Sequence, residues 1–589
     1  MTTDETRPET RFFGVGVSPG IASGTVHVVR YEAEEVARYH IEPSEIANEI
    51  GRFETALIQT RAQILEMQQK IAEAIGAKDA GIFDAHLLVV EDRTLIDEVL
   101  RKLEADLCNV DYVFQEVATH YADTLSKIDD PYLRERALDI QDVTRRVVRN
   151  LQGKAPKAFL ALTDPHILVA HNITPSDTAT MNRKQVLGFA TDLGSRTSHT
   201  AIMARSMNIP AVVGLHNATE KLETGQEVLV DGYNGLLILN PTPETLWHYG
   251  ELKHRKEQVT EQLTGLRETK STTHDGRHIV LSANIELPTE VNSVAENGAE
   301  GIGLYRTEFL YLNRATLPTE EEQYDTYRKV AEHVAPHPLI IRTFDLGGDK
   351  IACGMETFDE QNPFMGLRAI RFCLENLDIF KAQLRAILRS SAAAGNVKIM
   401  FPMISGLDEL RRALGVLDEC KAELQREGLP FASGTEVGAM IEIPSAALCA
   451  DALAREVDFF SIGTNDLIQY ALAVDRVNER IANLYEPTHP AVIRLLKMVA
   501  DAAHKQRIWA GVCGEMAGDL TMVPLLLGLG MDELSVSASL VPRVKRAVQS
   551  LSIPECEKLV AAALELTTPV EILARCTEVA EQHYADLIS

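Results

Sequence analysis

From Ser271 onward the chain alternates β-favouring runs with helical stretches eight times. The runs are HIVLSANIE (278–286), GIGLYRTEF (301–309), PLIIRTFDLG (338–347), VKIMFPMI (397–404), EVGAMIEIP (436–444), DFFSIGTND (458–466), WAGVCGE (509–515) and ELSVSA (533–538). Eight such units over this length predict a (β/α)8 barrel. That architecture also says where chemistry belongs, at the C-terminal ends of the strands.

Reading those ends gives Arg306, Arg342, Glu442, Asn465, Asp466 and Cys513. Two arginines can grip phosphate oxygens bidentately, while carboxylates on neighbouring strands can share one magnesium ion with substrate oxygens. Arg476 in AVDR, Lys350 in GGDK and Arg368 in GLRAIR lie near other strand ends and can complete an anion cradle. Singly, each is as readily a surface ion pair; gathered at consecutive strand ends, they point to a phosphate-and-metal pocket. A cysteine in an apolar strand is usually an inert core residue. Cys513, between Gly511 and Gly514-Glu515, instead suits a proton donor or acceptor facing the pocket.

Upstream, residues 12–30 read as two short strands around a Gly/Pro turn. The glycine spacing, and a strand at Val26–Arg30 where a helix should begin, exclude a dinucleotide fingerprint. From about Pro43 to Asn150, apolar residues fall at helical spacing (Phe53, Leu57, Ile64, Met67, Ile71) with almost no glycine or proline, which predicts two helical hairpins. Strand signals return at 166–173, 186–194, 211–215 and 228–240. The expected organisation is a small α/β domain (1–42 and 151–241) interrupted by a helical subdomain (43–150). A charged helical linker carrying Pro243 and Trp247 (242–270) and the barrel (271–589) follow.

Within the α/β domain, the run GSRTSHTAIMAR (194–205) places His199 at the start of a predicted helix. Thr197 and Ser198 are capping residues, so unpaired backbone N–H groups should converge near the imidazole, with Arg196 as a further positive partner. A phosphoryl group on that ring would sit at the positive end of the helix dipole.

The net charge of −27 excludes nucleic acid or an anionic membrane as the main partner, since both need a basic footprint. The eight cysteines include no Cys-x-x-Cys pair, as expected of a reducing compartment. The first residues, MTTDETRPETRFF, carry no leader pattern, and no apolar run is long enough for membrane insertion, so a cytoplasmic protein is expected.

The motifs SPGIASG, RTSHTAIMAR, GLYRTEF, RTFDLGGDK, NPFMGLRAIR, MFPMIS, FFSIGTNDLIQYALAVDR and GVCGEMAGD together resemble the enzyme I family of the bacterial phosphoenolpyruvate-dependent sugar phosphotransferase system, over a stretch from about Phe12 to near the C-terminus. The clearest departure is Ser195, where the family usually has a second glycine. The resemblance implies that phosphoenolpyruvate phosphorylates His199, which passes the group to a histidine-containing phosphocarrier protein. It implies substrate binding by Arg306, Arg342 and Arg476 with Lys350, Arg368 and Asn465 assisting, magnesium on Glu442 and Asp466, and protonation of the enolate carbon by Cys513 as pyruvate forms. Thr178 resembles the residue that hydrogen-bonds the active histidine. The resemblance also makes the helical insertion the phosphocarrier dock and the barrel the site of homodimerisation.

Pyruvate phosphate dikinase and phosphoenolpyruvate synthase are the enzymatic alternative, but they need a large nucleotide-binding domain, and the insertion lacks a glycine-rich phosphate loop. A regulatory protein without turnover is a second alternative; every expected catalytic position being filled speaks against it. The nitrogen-related paralogue carries an extra N-terminal sensory domain, whereas only about ten residues precede the first strand here.

Overall fold

A computed structural model describes residues 8–588 apart from 31–35, 76–81, 128–130, 155–163, 175–176, 178–184, 196–199, 202–203, 206–208, 313–315, 347–361, 477 and 479. The chain divides into two compact units, Met1–Lys256 and Glu257–Ser589.

The first unit holds an eight-stranded sheet ordered β1-β8-β7-β3-β4-β5-β6-β2. Its strands are β1 (Thr10–Phe13), β2 (Val15–Ser18), β3 (Ile21–Val29), β4 (His166–Ala170), β5 (Val186–Thr191), β6 (Ala211–Val213), β7 (Glu227–Asp231) and β8 (Leu236–Leu239). The N-terminal segment gives three strands rather than two, because Gly14 breaks the first run. A Cβ there would stand 2.4 Å from the Val213 carbonyl oxygen. The run at 228–240 is likewise a hairpin, turned by Asp231, whose carboxylate accepts from the backbone N–H groups of Tyr233 and Asn234. β3, β4, β5 and β6 are parallel, and their alternating residues feed two cores: Val26, Ile167 and Val169 on one face, Leu168, Ala170 and Phe189 on the other. Ala201 and Ala204 pack into the second core, so the segment just after His199 is seated on the sheet.

The insertion contains five α-helices among the described residues: α1 (Ile46–Ile75), α2 (Ile82–Val90), α3 (Arg93–Asp106), α4 (Val110–Ser126) and α5 (Pro131–Leu151). The expected two hairpins fail at their second member. Asp92 accepts from the N–H groups of Thr94 and Leu95 and starts α3 afresh, splitting that arm in two. Phe53, Ile64 and Met67 are buried with Val99, Phe114 and Val147, and Leu57 packs against them; the Ile71 side chain lies outside the described residues. The linker is one helix, α6 (Pro243–Gly265). Leu246, Tyr249 and Leu252 pack on the first unit's core, Val259 and Leu263 pack on the barrel, and Trp247 is exposed.

The second unit is the expected barrel. Eight parallel strands close in the order β10-β11-β12-β13-β14-β15-β16-β9. They are β9 (Val280–Ile285), β10 (Ile302–Tyr305), β11 (Leu339–Arg342), β12 (Val397–Phe401), β13 (Val437–Ile441), β14 (Phe459–Ile462), β15 (Trp509–Val512) and β16 (Glu533–Ser537). Each expected run overshoots, because the residues at its C-terminal end have already turned toward the mouth of the barrel. Leu304, Ile340, Met400, Met440 and Phe459 fill the interior with Cys513, and Phe459 stacks on Trp509 with ring centres 4.5 Å apart. At the start of β16, buried Glu533 accepts a hydrogen bond from Ser282 Oγ. Burial pushes its carboxyl up to about 7, against the opposing influence of the Ser282 bond and the Lys398 charge.

Candidate active site

The barrel closes with its charged strand-end residues at one mouth. Arg342 is the last residue of β11 and donates from Nη2 to Glu308 Oε1 at 2.8 Å, while its Nη1 lies 2.8 Å from Asp345 Oδ2. Asp345 Oδ1 in turn accepts from Arg368 at 2.8 and 3.2 Å, and Arg368 Nη2 reaches Asp466 Oδ2 at 3.2 Å. The result is a row of alternating charge: Glu308, Arg342, Asp345, Arg368, Asp466. Burial acts to lower the pKa of both guanidinium groups, but the neighbouring carboxylates outweigh it and hold both above the ordinary arginine value. Arg342 Nε is buried with no hydrogen-bond partner among the described residues, an unspent donor at the barrel mouth.

Glu442 follows β13 directly and is buried. Its Oε1 accepts the Met403 backbone N–H at 2.6 Å, which Met403 presents from a left-handed conformation at φ +56°. Burial, then the charges of Asp466 and Asp345, hold the Glu442 carboxyl well above its usual range, with Arg342 and Arg368 pulling the other way. An added divalent cation would reverse that balance, so Glu442 and Asp466 fit a hard, oxygen-seeking ion such as magnesium. Among the described residues no group of three or more His, Cys, Asp or Glu side chains is arranged as a metal cage. A two-carboxylate site completed by substrate oxygens and water is the form open to these residues. Asp466 sits in the first turn of the helix Thr464–Leu472, where the dipole favours negative charge.

Asn465 is fixed by a reciprocal pair with Glu515: Oδ1 accepts the Glu515 N–H at 2.9 Å and Nδ2 donates to Oε1 at 3.3 Å. Arg476 Nη1 donates to the same Oε1 at 3.2 Å. Cys513 follows β15, buried, with Sγ 3.6 Å from the Ile462 carbonyl oxygen. Burial pushes the thiol up to about 11, with the Ser461 hydrogen bond and the charges of Arg342 and Arg306 acting in the opposite direction. It therefore keeps its proton at neutral pH. Asn284 donates to the Cys513 and Ser535 carbonyls, 3.1 Å each, and ties β9 to the two last strands. Arg306 follows β10 and donates to Glu286. Arg306, Cys513, Asn284, Glu286 and Glu515 line a cavity of about 830 Å³.

The structure thus brings together Arg306, Arg342, Arg368, Glu442, Asn465, Asp466, Arg476 and Cys513. His199, Thr178 and Lys350 lie outside the described residues. Beside His199, Thr200 Oγ1 donates to the Ile173 carbonyl at 3.0 Å and Ser18 Oγ donates to the Ala204 carbonyl at 3.3 Å, anchoring that segment to the sheet. Sequence reasoning missed Glu308, Asp345 and Glu286. All three lie inside the quoted runs, but an acidic residue carries no mark of which arginine it will meet.

Three family models match the chain: "PEP-utilising enzyme, N-terminal" over residues 13–136, "PEP-utilising enzyme, mobile domain" over 162–235 and "PEP-utilising enzyme, PEP-binding domain" over 260–553. The last of these models spans the parallel barrel and the charged residues at its mouth, and the three together define an enzyme of the phosphoenolpyruvate-utilising class. The phosphoenolpyruvate-protein phosphotransferase of Bacillus sp. (strain S) is 44% identical over 566 residues, covering 96% of this chain and 97% of the relative. That of Bacillus subtilis (strain 168) is 44% identical over 561 residues, covering 95% and 98%. An NMR solution structure of an Enzyme I protein is 40% identical and covers 42% of this chain and 99% of that one, with a TM-score of 0.35. The chain belongs to the phosphoenolpyruvate-protein phosphotransferase family and is an enzyme of the phosphotransferase class.

Proposed function

We propose that the chain takes the phosphoryl group of phosphoenolpyruvate onto His199, releases pyruvate, and passes the group to a histidine-containing phosphocarrier protein. The observation that carries this reading is the convergence of Arg306, Arg342, Arg368 and Arg476 with Glu442, Asp466 and Cys513 at one barrel mouth. The arginines grip the substrate's phosphate and carboxylate, assisted by Asn465 and Lys350. Glu442 and Asp466 hold magnesium, which when bound neutralises charge on the phosphoryl oxygens. A neutral His199 nitrogen attacks phosphorus in line; the P–O bond to the enolate breaks as the N–P bond forms. Cys513, still a thiol at neutral pH, gives its proton to the enolate carbon.

In this reading the α/β domain (1–42 and 151–241) carries the phosphohistidine and Thr178 hydrogen-bonds it. The helical subdomain (43–150) receives the phosphocarrier, 242–270 links the two halves, and the barrel (271–589) binds substrate and dimerises. Among the described residues no helix is long and apolar enough to cross a membrane. That absence and the acidic composition suit a cytoplasmic enzyme. The test is labelling with phosphoenolpyruvate and magnesium: wild type takes label and hands it to added phosphocarrier, and His199→Ala does neither. Acid-labile label persisting on His199→Ala, or label entering from ATP, would defeat the assignment.

A further inference from the structure

The arginines at the mouth fall into two kinds. Arg342 and Arg368 are nearly buried and so are their carboxylate partners, whose side chains are 4–14% exposed, so those pairs are permanent parts of the wall. The Arg306–Glu286 pair is different: the side chains are 35% and 53% exposed, and both line the cavity that Cys513 also faces. Glu286 comes from the end of β9 and Arg306 from the end of β10, so the pair crosses two adjacent strand ends at the rim. Among the described residues Arg306 is the only partner of the Glu286 side chain. The backbone beneath it is fixed, because Glu290 Oε2 accepts the N–H groups of Glu286 and Leu287 at 2.7 and 2.9 Å. Only the glutamate side chain has to rotate, toward solvent, to release the guanidinium. Glu515, the exposed partner of Arg476, differs in having a second partner, since its Oε1 also accepts from Asn465 Nδ2.

We infer that Glu286 is an internal competitor for Arg306, displaced by the anionic group of the incoming substrate and returning to the guanidinium as the product leaves. The inference rests on Arg306 being a substrate arginine, as proposed above. A multiply charged phosphate ester offers Arg306 more than the carboxylate it replaces, whereas a monoanionic carboxylate such as pyruvate offers no more. Glu286 therefore lowers the affinity of every anion that must take Arg306 from it, and by returning to the guanidinium it assists the departure of product.

The test is steady-state kinetics of the full-length enzyme with Glu286→Gln, which keeps the shape and removes the charge, alongside Arg306→Gln as reference. Glu286→Gln should lower KM for phosphoenolpyruvate about two- to fivefold, the size of one partly exposed ion pair, with kcat within about twofold and the melting temperature unchanged. Inhibition by pyruvate should strengthen by a similar factor. A KM that stays put or rises, or pyruvate inhibition that does not strengthen, overturns the inference when Arg306→Gln raises KM at least tenfold. If Arg306→Gln leaves KM unaltered, the reading of Arg306 itself fails, and the inference with it.

Discussion

Replacing Glu533 with glutamine should remove the share of the pH dependence of the barrel's stability that this one carboxyl contributes between about pH 5 and pH 8. The Glu533 carboxyl is buried beside Ser282, and burial lifts it from 4.5 to about 7. The folded chain therefore keeps a proton that the unfolded chain has already released across that interval. Stability falls as pH rises from about 4.5 and levels off above about 7, the direction required of an acid whose folded pKa is raised. At about 1.36 kcal/mol per pKa unit, the full effect is about 3 kcal/mol. Glutamine has no proton to lose there and still accepts from Ser282 Oγ through its carbonyl oxygen. Near pH 5 the two proteins should differ by less than about 1 kcal/mol; near pH 8 the variant should be more stable by about 3 kcal/mol. For a unit spanning Glu257–Ser589, an unfolding entropy of about 2.1 cal/mol/K per residue turns this into about 4 °C. Calorimetry of the barrel transition at the two pH values reads it directly. A gap that is constant with pH, or one that opens toward acid, would refute the reasoning.

Three further outcomes are expected. Cys513→Ser should slow pyruvate formation with little change in KM, and wild-type turnover should show no thiol ionisation below about pH 9, because the group titrates near 11; unchanged turnover would remove its role. Arg342→Ala strands Glu308 in a buried site and leaves Asp345 only Arg368, so it should cost about 3–5 kcal/mol near pH 8 and less near pH 5, where Glu308, whose carboxyl burial raises, takes up a proton more readily; denaturant melts at both pH values compare the two. Gly514→Ala puts a Cβ 2.0 Å from Thr464 Oγ1 and should destabilise by about 1–3 kcal/mol while displacing Asn465 and Asp466. Adding Thr464→Ala should recover part of both stability and activity, and no recovery in thermal melts and kinetics would assign the damage elsewhere.

The barrel was legible because each strand is an apolar run bounded by turn residues. Its ends were not, since runs such as PLIIRTFDLG continue past the last paired residue, Arg342, into Thr343 and Phe344, which are buried as the strand is. Arg306, Arg342, Glu442 and Cys513, which the proposed site uses, stand out in the sequence because they lie at or just beyond strand ends. The carboxylates that pair with Arg342 do not: Glu308 and Asp345 acquire meaning only from Arg342, placed between them by the fold. The helical insertion shows the same limit at smaller scale. Its apolar periodicity runs smoothly up to Val90, and only the capping bonds of Asp92 reveal that one arm is two helices.

The pairing of β16 with β9 runs over five residues, from Glu533 opposite Val280 to Ser537 opposite Asn284. It joins the first and last strands of the barrel, and the cavity takes its walls from both sides of that seam. Arg306 and Cys513 therefore have no common pocket until the final strand has been made and docked. A nascent chain stalled before Glu533 would expose an open row of strand edges at β9 and at β15, and it would bind no substrate. For this protein, competence to react and closure of the sheet are one late, long-range event in folding, and the slowest step of refolding should coincide with the return of substrate binding.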